Sequence, residues 1–179
     1  LLHRDISPDN ILLDRASGQP ILIDFGASRK EVTRKSRAVS GLRVVKDGYS
    51  PHEMYTAGGN SGTWSDIYAL AASLYHLITG IAPVNCQMRL GAMAEKRPDP
   101  LKPLAGTVAG YPRGFLESLD RAMAVMPATR FQTAAEWQVC LPKSEDRKVV
   151  LLRRLVPSAA VATMEAEQNL PSMYGARPF

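Results

Sequence analysis

The chain has 179 residues, 45% hydrophobic and 22% charged, with 22 basic against 17 acidic side chains and a formal charge of +5. This is an ordinary globular composition, long enough for one domain with a core of its own. No apolar run reaches 18 residues, so no membrane-spanning helix is expected, and so small a basic excess does not argue for nucleic acid as a partner.

The chain opens at Leu1 without an initiator methionine, and no basic stretch precedes an apolar one. A piece of a longer protein without a secretory leader is therefore expected. Leu1 and Leu2 read as the end of an apolar element. Short apolar runs at 11–14 and 20–24 flank Ala16-Ser17-Gly18, which predicts a β-hairpin. Residues 27–50 are polar and basic without periodicity and predict a long loop. Residues 65–79 carry Ile67, Tyr68, Leu70, Leu74, Leu77 and Ile78, then Gly80 and Pro83. That pattern predicts a helix buried on most sides and ended by glycine.

Proline and glycine mark 97–112 as a connection. Phe115, Leu119, Ala122 and Met123 recur at helical spacing within 114–126, and 133–141 reads as a further short helix. A basic, apolar stretch at 147–156 has helical character, and the end, with Pro171, Gly175 and Pro178, is expected to fray. Basic residues bunch at 29–37, 143–148 and 153–154, the usual signature of a solvated face. Cys86 and Cys140 lie far apart, match no metal-binding spacing, and read as free thiols of a reducing cytosol.

The strongest chemical signal is His3-Arg4-Asp5-Ile6-Ser7-Pro8-Asp9-Asn10. It resembles the H-R-D-x-x-x-x-N catalytic loop of protein kinases. A carboxylate at Asp5 suits acceptance of a substrate hydroxyl proton, and a side-chain amide oxygen at Asn10 suits a magnesium ion beside phosphates. Ile23-Asp24-Phe25-Gly26 follows and resembles the D-F-G element, whose Asp, here Asp24, binds magnesium. Gly48-Tyr49-Ser50-Pro51-His52-Glu53 resembles the A-P-E end of the activation segment, in the G-Y-x-P-x-E form of bacterial kinases. Trp64-Ser65-Asp66 resembles the start of the large central helix, whose Asp bonds the catalytic-loop backbone. Pro127-Ala128-Thr129-Arg130-Phe131 resembles the late element whose Arg pairs with the segment-end Glu, here Glu53.

The resemblance to bacterial-type serine/threonine protein kinases covers residues 1–141. It implies a mainly α fold, the kinase C-terminal lobe, with a small β-hairpin at the catalytic loop and the N-terminal lobe absent from this sequence. Residues 142–179 are an unassigned, partly disordered tail. The implied reaction is ATP-dependent phosphorylation of serine or threonine in protein substrates with Mg2+, in the cytoplasm. The implied partners are a protein substrate and the missing N-terminal lobe. Asp5, Asn10 and Asp24 are the expected catalytic and metal-binding residues, supported by His3, Arg4, Glu53, Asp66 and Arg130. Neither the glycine-rich loop nor the strand lysine and helix glutamate of that lobe occurs in these 179 residues, so activity of the chain alone is doubtful.

One departure matters. The family places a lysine two residues after the catalytic Asp, where this chain has Ser7. Counting back from Glu53, Lys46 occupies the usual place of a threonine facing that Asp. The paired departure leads to the expectation that the cation has moved from the catalytic loop to the activation segment. Arg4 precedes the catalytic Asp, and Thr33, Ser36 and Ser40 are candidate phosphate acceptors for it. Two alternatives stay open. A non-catalytic pseudokinase or scaffold is favoured by Ser7 and opposed by the intact Asp5, Asn10 and Asp24. A small-molecule phosphotransferase is opposed by Glu53 and Arg130, which build a peptide platform.

Overall fold

The structure, a computed structural model, describes residues 1–25, 45–56 and 58–142. The chain divides into two units, Leu1–Lys143 and Ser144–Phe179, and every described residue belongs to the first. Gly26, Thr33, Ser36, Ser40, most of the predicted loop 27–50 with its basic cluster, and the expected helix at 147–156 with the rest of the tail lie outside the described residues.

The described part is mainly helical, with one two-stranded sheet. Strand β1 (Ile11–Leu13) pairs antiparallel with β2 (Pro20–Leu22), Ile11 opposite Leu22 and Leu13 opposite Pro20. The hairpin turns because the Asp14 carboxylate accepts from the Ala16 and Ser17 amides and the Ser17 hydroxyl, mimicking a backbone turn. Those bonds, the Ser17 hydroxyl first, hold the Asp14 carboxyl below its usual range. A short 3-10 turn, Pro8–Asn10, leads directly into β1, and the Asn10 carbonyl accepts the Ile23 amide at 2.9 Å, which ties the turn to the far end of the hairpin.

Five α-helices follow among the described residues: α1 (His52–Tyr55), α2 (Thr63–Thr79), α3 (Cys86–Ala94), α4 (Arg113–Ala122) and α5 (Ala134–Gln138). Helix α2 is the predicted buried helix, begun two residues earlier than its apolar pattern. It ends at Gly80, which takes a left-handed φ of 75° and donates its amide to the His76 carbonyl at 2.8 Å. Ile67, Tyr68, Ala71, Ala72, Tyr75 and Ile78 bury one side of it against Leu116, Leu119 and Ala122 of α4, with Met123, Phe131 and Trp137 completing the core. Helix α5 starts where Thr133 caps the Glu136 amide at 3.1 Å. The connection at 97–112 is anchored by Asp120, whose carboxylate accepts the Leu104 and Ala105 amides at 2.8 and 2.9 Å and so brings Leu104 into the core. No described helix is long and apolar enough to cross a membrane.

Apolar periodicity does not predict α3. Its buried positions are Cys86, Arg89 and Ala92, and Gly91 lies in its middle. A charged residue replaces the expected aliphatic one. Buried Arg89 gives Nη1 to the Tyr68 hydroxyl at 3.2 Å and the Met123 carbonyl at 2.7 Å, and its Nε and Nη2 to Asp99. Helix α3 is thus held to α2 and to the end of α4 by hydrogen bonds as much as by packing.

Candidate active site

The loop ahead of β1 is fixed by α2. Asp66, in the first turn of α2, accepts the His3 amide on Oδ2 at 2.7 Å and the Arg4 amide on Oδ1 at 2.8 Å. Arg4 needs this support, because its φ of 67° is left-handed and costly for a side-chain-bearing residue. The buried His3 ring joins the loop to Ile23, the residue just past β2. Its Nε2 carries a proton and donates to the Ile23 carbonyl at 3.0 Å, and its Nδ1 accepts from the Asp5 amide at 3.3 Å. The His3 ring also meets Phe25 edge-on, with centroids 4.6 Å apart. Asp24, the residue between, takes a left-handed φ of 60°.

Asp5 and Asn10 share one face of this loop. Asn10 Nδ2 donates to the Asp5 carbonyl at 2.7 Å and to Asp5 Oδ2 at 3.1 Å. With both acceptors on Asp5, the amide orientation is settled, and Asn10 Oδ1 is turned away from Asp5. The Asn10 oxygen and the Asp24 carboxylate are hard donors of the kind a magnesium ion takes, with water and phosphate filling its other positions.

Lys46 reaches into the same place from the far side. Its Nζ lies 2.8 Å from Ser7 Oγ, 3.5 Å from Asp5 Oδ1 and 3.6 Å from Asp9 Oδ2. Ser7 is fully buried, Asp5 is largely covered and Asp9 is exposed. An ammonium thus stands among three oxygen-bearing residues of the loop, although 39 residues separate Lys46 from Ser7.

The segment after Lys46 is tied down at its end. Glu53 receives Arg130 Nη1 on Oε1 and the Ser65 hydroxyl on the same atom, both at 2.8 Å, and Arg130 Nη2 on Oε2 at 3.2 Å. Arg130 spends its other donors on the carbonyls of Ala124 at 2.7 Å, Val125 at 2.6 Å and Trp64 at 3.4 Å. Its guanidinium also lies 4.7 Å from the Tyr68 ring centroid. Nearer the loop, the Tyr49 hydroxyl and His76 Nδ1 approach to 2.6 Å. Burial first, and then the Asp9 carboxylate, push the Tyr49 phenol above its usual range.

Of the sequence-predicted site residues within the described part, His3, Arg4, Asp5, Ser7, Asn10, Lys46 and Asp66 are joined by contacts at the loop, and Glu53 pairs with Arg130 at the second anchor, while Asp24 follows Ile23, whose carbonyl faces the His3 ring. The family pattern did not single out Ser65, Tyr49 with His76, or Asn85, which grips the Lys46 segment from α3. Only Asn85 left a local trace, as a side chain of the kind that caps a helix.

The sequence profile of the protein kinase domain matches residues 1–102. The chain belongs to the protein kinase family. The serine/threonine-protein kinase PknA of Nostoc sp. is 32% identical over 146 residues, covering 76% of this kinase chain and 23% of that protein. The serine/threonine-protein kinase PknL of Mycobacterium tuberculosis strain H37Rv is 35% identical over 136 residues, covering 75% and 33%. Among solved structures, "PpkA-294 apo form" superposes with a TM-score of 0.61 at 39% identity, covering 79% of this kinase chain and 46% of that one. The kinase chain thus spans between 23% and 33% of the length of these two curated relatives.

Proposed function

We propose that residues 1–141 form the C-terminal lobe of a cytoplasmic serine/threonine protein kinase and supply its phosphoryl-transfer residues, with no role assigned to residues 142–179. A substrate hydroxyl attacks the γ-phosphorus of ATP, the bond to the leaving ADP oxygen breaks, and Asp5 accepts the hydroxyl proton. Asn10 keeps Asp5 oriented through its amide. Lys46 neutralises charge on the phosphoryl oxygens in the transition state, with Ser7 and Asp9 guiding its ammonium. Asn10 and Asp24 would hold magnesium, whose chemistry is charge neutralisation on the phosphates. Arg4 is offered as the partner of a phosphate at Thr33, Ser36 or Ser40.

The observation that supports this reading best is the meeting of Lys46 with Ser7 and Asp5. A lysine at position 46 answers the missing lysine at position 7, and a decayed site has no reason to keep that exchange. Glu53 and Arg130 support a protein substrate, because they brace the segment against which a peptide would lie.

The test joins the chain to a nucleotide-binding lobe and measures turnover on a serine- or threonine-containing protein. Asp5→Asn is expected to lower kcat by at least about 10², the lower end for loss of a positioned base. Near wild-type turnover in Asp5→Asn would remove the assignment. The unjoined chain is expected to transfer little phosphate, since it has no strand lysine or glycine-rich loop for the ATP phosphates. Robust ATP-dependent phosphorylation by the 179-residue chain would overturn the need for a second lobe.

A further inference from the structure

The turn that carries Lys46 is built to hold still. Its backbone is closed: the Lys46 amide donates to Ser50 Oγ at 2.9 Å, and the Lys46 carbonyl accepts the Tyr49 and Ser50 amides at 3.0 and 2.9 Å. Gly48 has a φ of 84°, and a Cβ there would come within 2.7 Å of the Pro83 carbonyl oxygen. The turn is therefore pressed against the residues that lead into α3, and only glycine fits at its tip.

Asp47, adjacent to Lys46, is gripped from two directions. It accepts from the Tyr55 hydroxyl at 3.1 Å and from Asn85 Nδ2 at 2.7 Å, and Asn85 Nδ2 lies 3.3 Å from the Tyr55 oxygen. The other end of the same Asn85 amide caps α3, its Oδ1 accepting the Gln87 amide at 2.7 Å. One side chain thus ties the start of α3 to the turn. Burial, and then the bond to Asp47, push the Tyr55 phenol up to about 12, which keeps it a donor across the physiological range. An unclamped Asp47 would be a mobile carboxylate beside Lys46, free to compete with the catalytic loop for its ammonium.

We propose that Asp47, Tyr55 and Asn85 are positioning residues for Lys46, setting how its ammonium reaches the phosphoryl-transfer site. The proposal rests on the role given to Lys46 above.

The informative substitution is Asn85→Asp. It keeps the oxygen that caps α3 but loses the donor and opposes a carboxylate to Asp47, so it separates capping from gripping. In the kinase joined to its nucleotide-binding lobe, Asn85→Asp should lower kcat about tenfold, the order of loss from a small misplacement. KM for ATP should stay unchanged. Combining Asn85→Asp with Asp47→Asn exchanges donor and acceptor and should recover most of the rate. In a Lys46→Ala background, Asn85→Asp should have no further effect on kcat.

An unchanged kcat in Asn85→Asp, with Lys46→Ala still impaired, overturns the clamp and leaves the Lys46 reading standing. A further loss from Asn85→Asp on top of Lys46→Ala overturns it too, because the loss then does not pass through Lys46. An unchanged kcat in Lys46→Ala itself removes the reading beneath and the proposal with it. If Asn85→Asp alters folding, Tyr55→Phe takes its place in the same cycle, since it removes one donor and leaves the cap untouched.

Discussion

Arg130 and Glu53 meet fork to fork across 77 residues of chain, with Nη1 to Oε1 at 2.8 Å and Nη2 to Oε2 at 3.2 Å, and neither is appreciably exposed. Removing one partner strands the other in a site that water does not reach. Arg130→Met or Glu53→Leu alone should each cost about 3–5 kcal/mol in urea unfolding, whereas the double change should cost less than the sum. Additive losses would show that the two side chains stabilise the fold independently.

The link from Asp66 to the catalytic loop gives a second prediction. Asn at position 66 has one acceptor oxygen where two amides are waiting, so one N–H is left unpaired beside the left-handed Arg4. Asp66→Asn should destabilise the chain by about 1–3 kcal/mol, the cost of an unsatisfied buried donor. Hydrogen exchange should quicken first at the His3 and Arg4 amides. Unaltered protection there would place the anchor of the loop elsewhere.

The proposed exchange of cations gives a third. Lys46→Ala should lower kcat by about 10², as does loss of one transition-state donor, and should change ATP affinity much less. The double change Ser7→Lys with Lys46→Thr, assayed with a nucleotide-binding lobe present, should restore part of that rate. Loss without rescue would leave Lys46 a structural role only.

The pair between Arg89 and Asp99 sets an acid limit. Burial alone would raise the Asp99 carboxyl, but the hydrogen bonds from Arg89 and the Leu101 amide outweigh it and hold the group below its usual value. A depressed carboxyl adds stability above its unfolded pKa of about 3.9 and loses it as pH falls through the folded value. Asp99→Asn should therefore be less stable than the parent at neutral pH, and the gap should close below about pH 4. A gap independent of pH would mean that Asp99 acts by packing. Its half-exposed side chain keeps the effect small.

Legibility in the sequence follows the range of the interactions. The hairpin could be read because its turn chemistry is local to Asp14 and Ser17. Helix α2 could be read because an unbroken apolar pattern runs into Gly80. His3, Asp5, Asn10 and Asp24 stood out because their spacing is fixed within two short motifs. Helix α3 was hidden because the side that faces the core carries Arg89 where a helix normally presents an aliphatic residue. The grip of Asn85 on Asp47, 38 residues apart, left no periodic mark, since a single hydrogen bond asks only for one donor and one acceptor. Ser65 was in view as part of a motif, but its bond to Glu53 depends on how α1 meets α2.

Ser7 is fully buried, with its hydroxyl against the Lys46 ammonium. A lysine entering at position 7 while Lys46 remained would set two ammonium groups together, and like charges 4 Å apart repel by about 4 kcal/mol at an effective dielectric of about 20. Losing Lys46 first would leave the loop with no cation from either position. Each single step away from this arrangement is therefore penalised, and only a paired exchange leads to the other. Across related chains the two positions should covary, a basic residue at one or at the other. If Lys46 acts as proposed, a site judged by position 7 alone would be misread as dead.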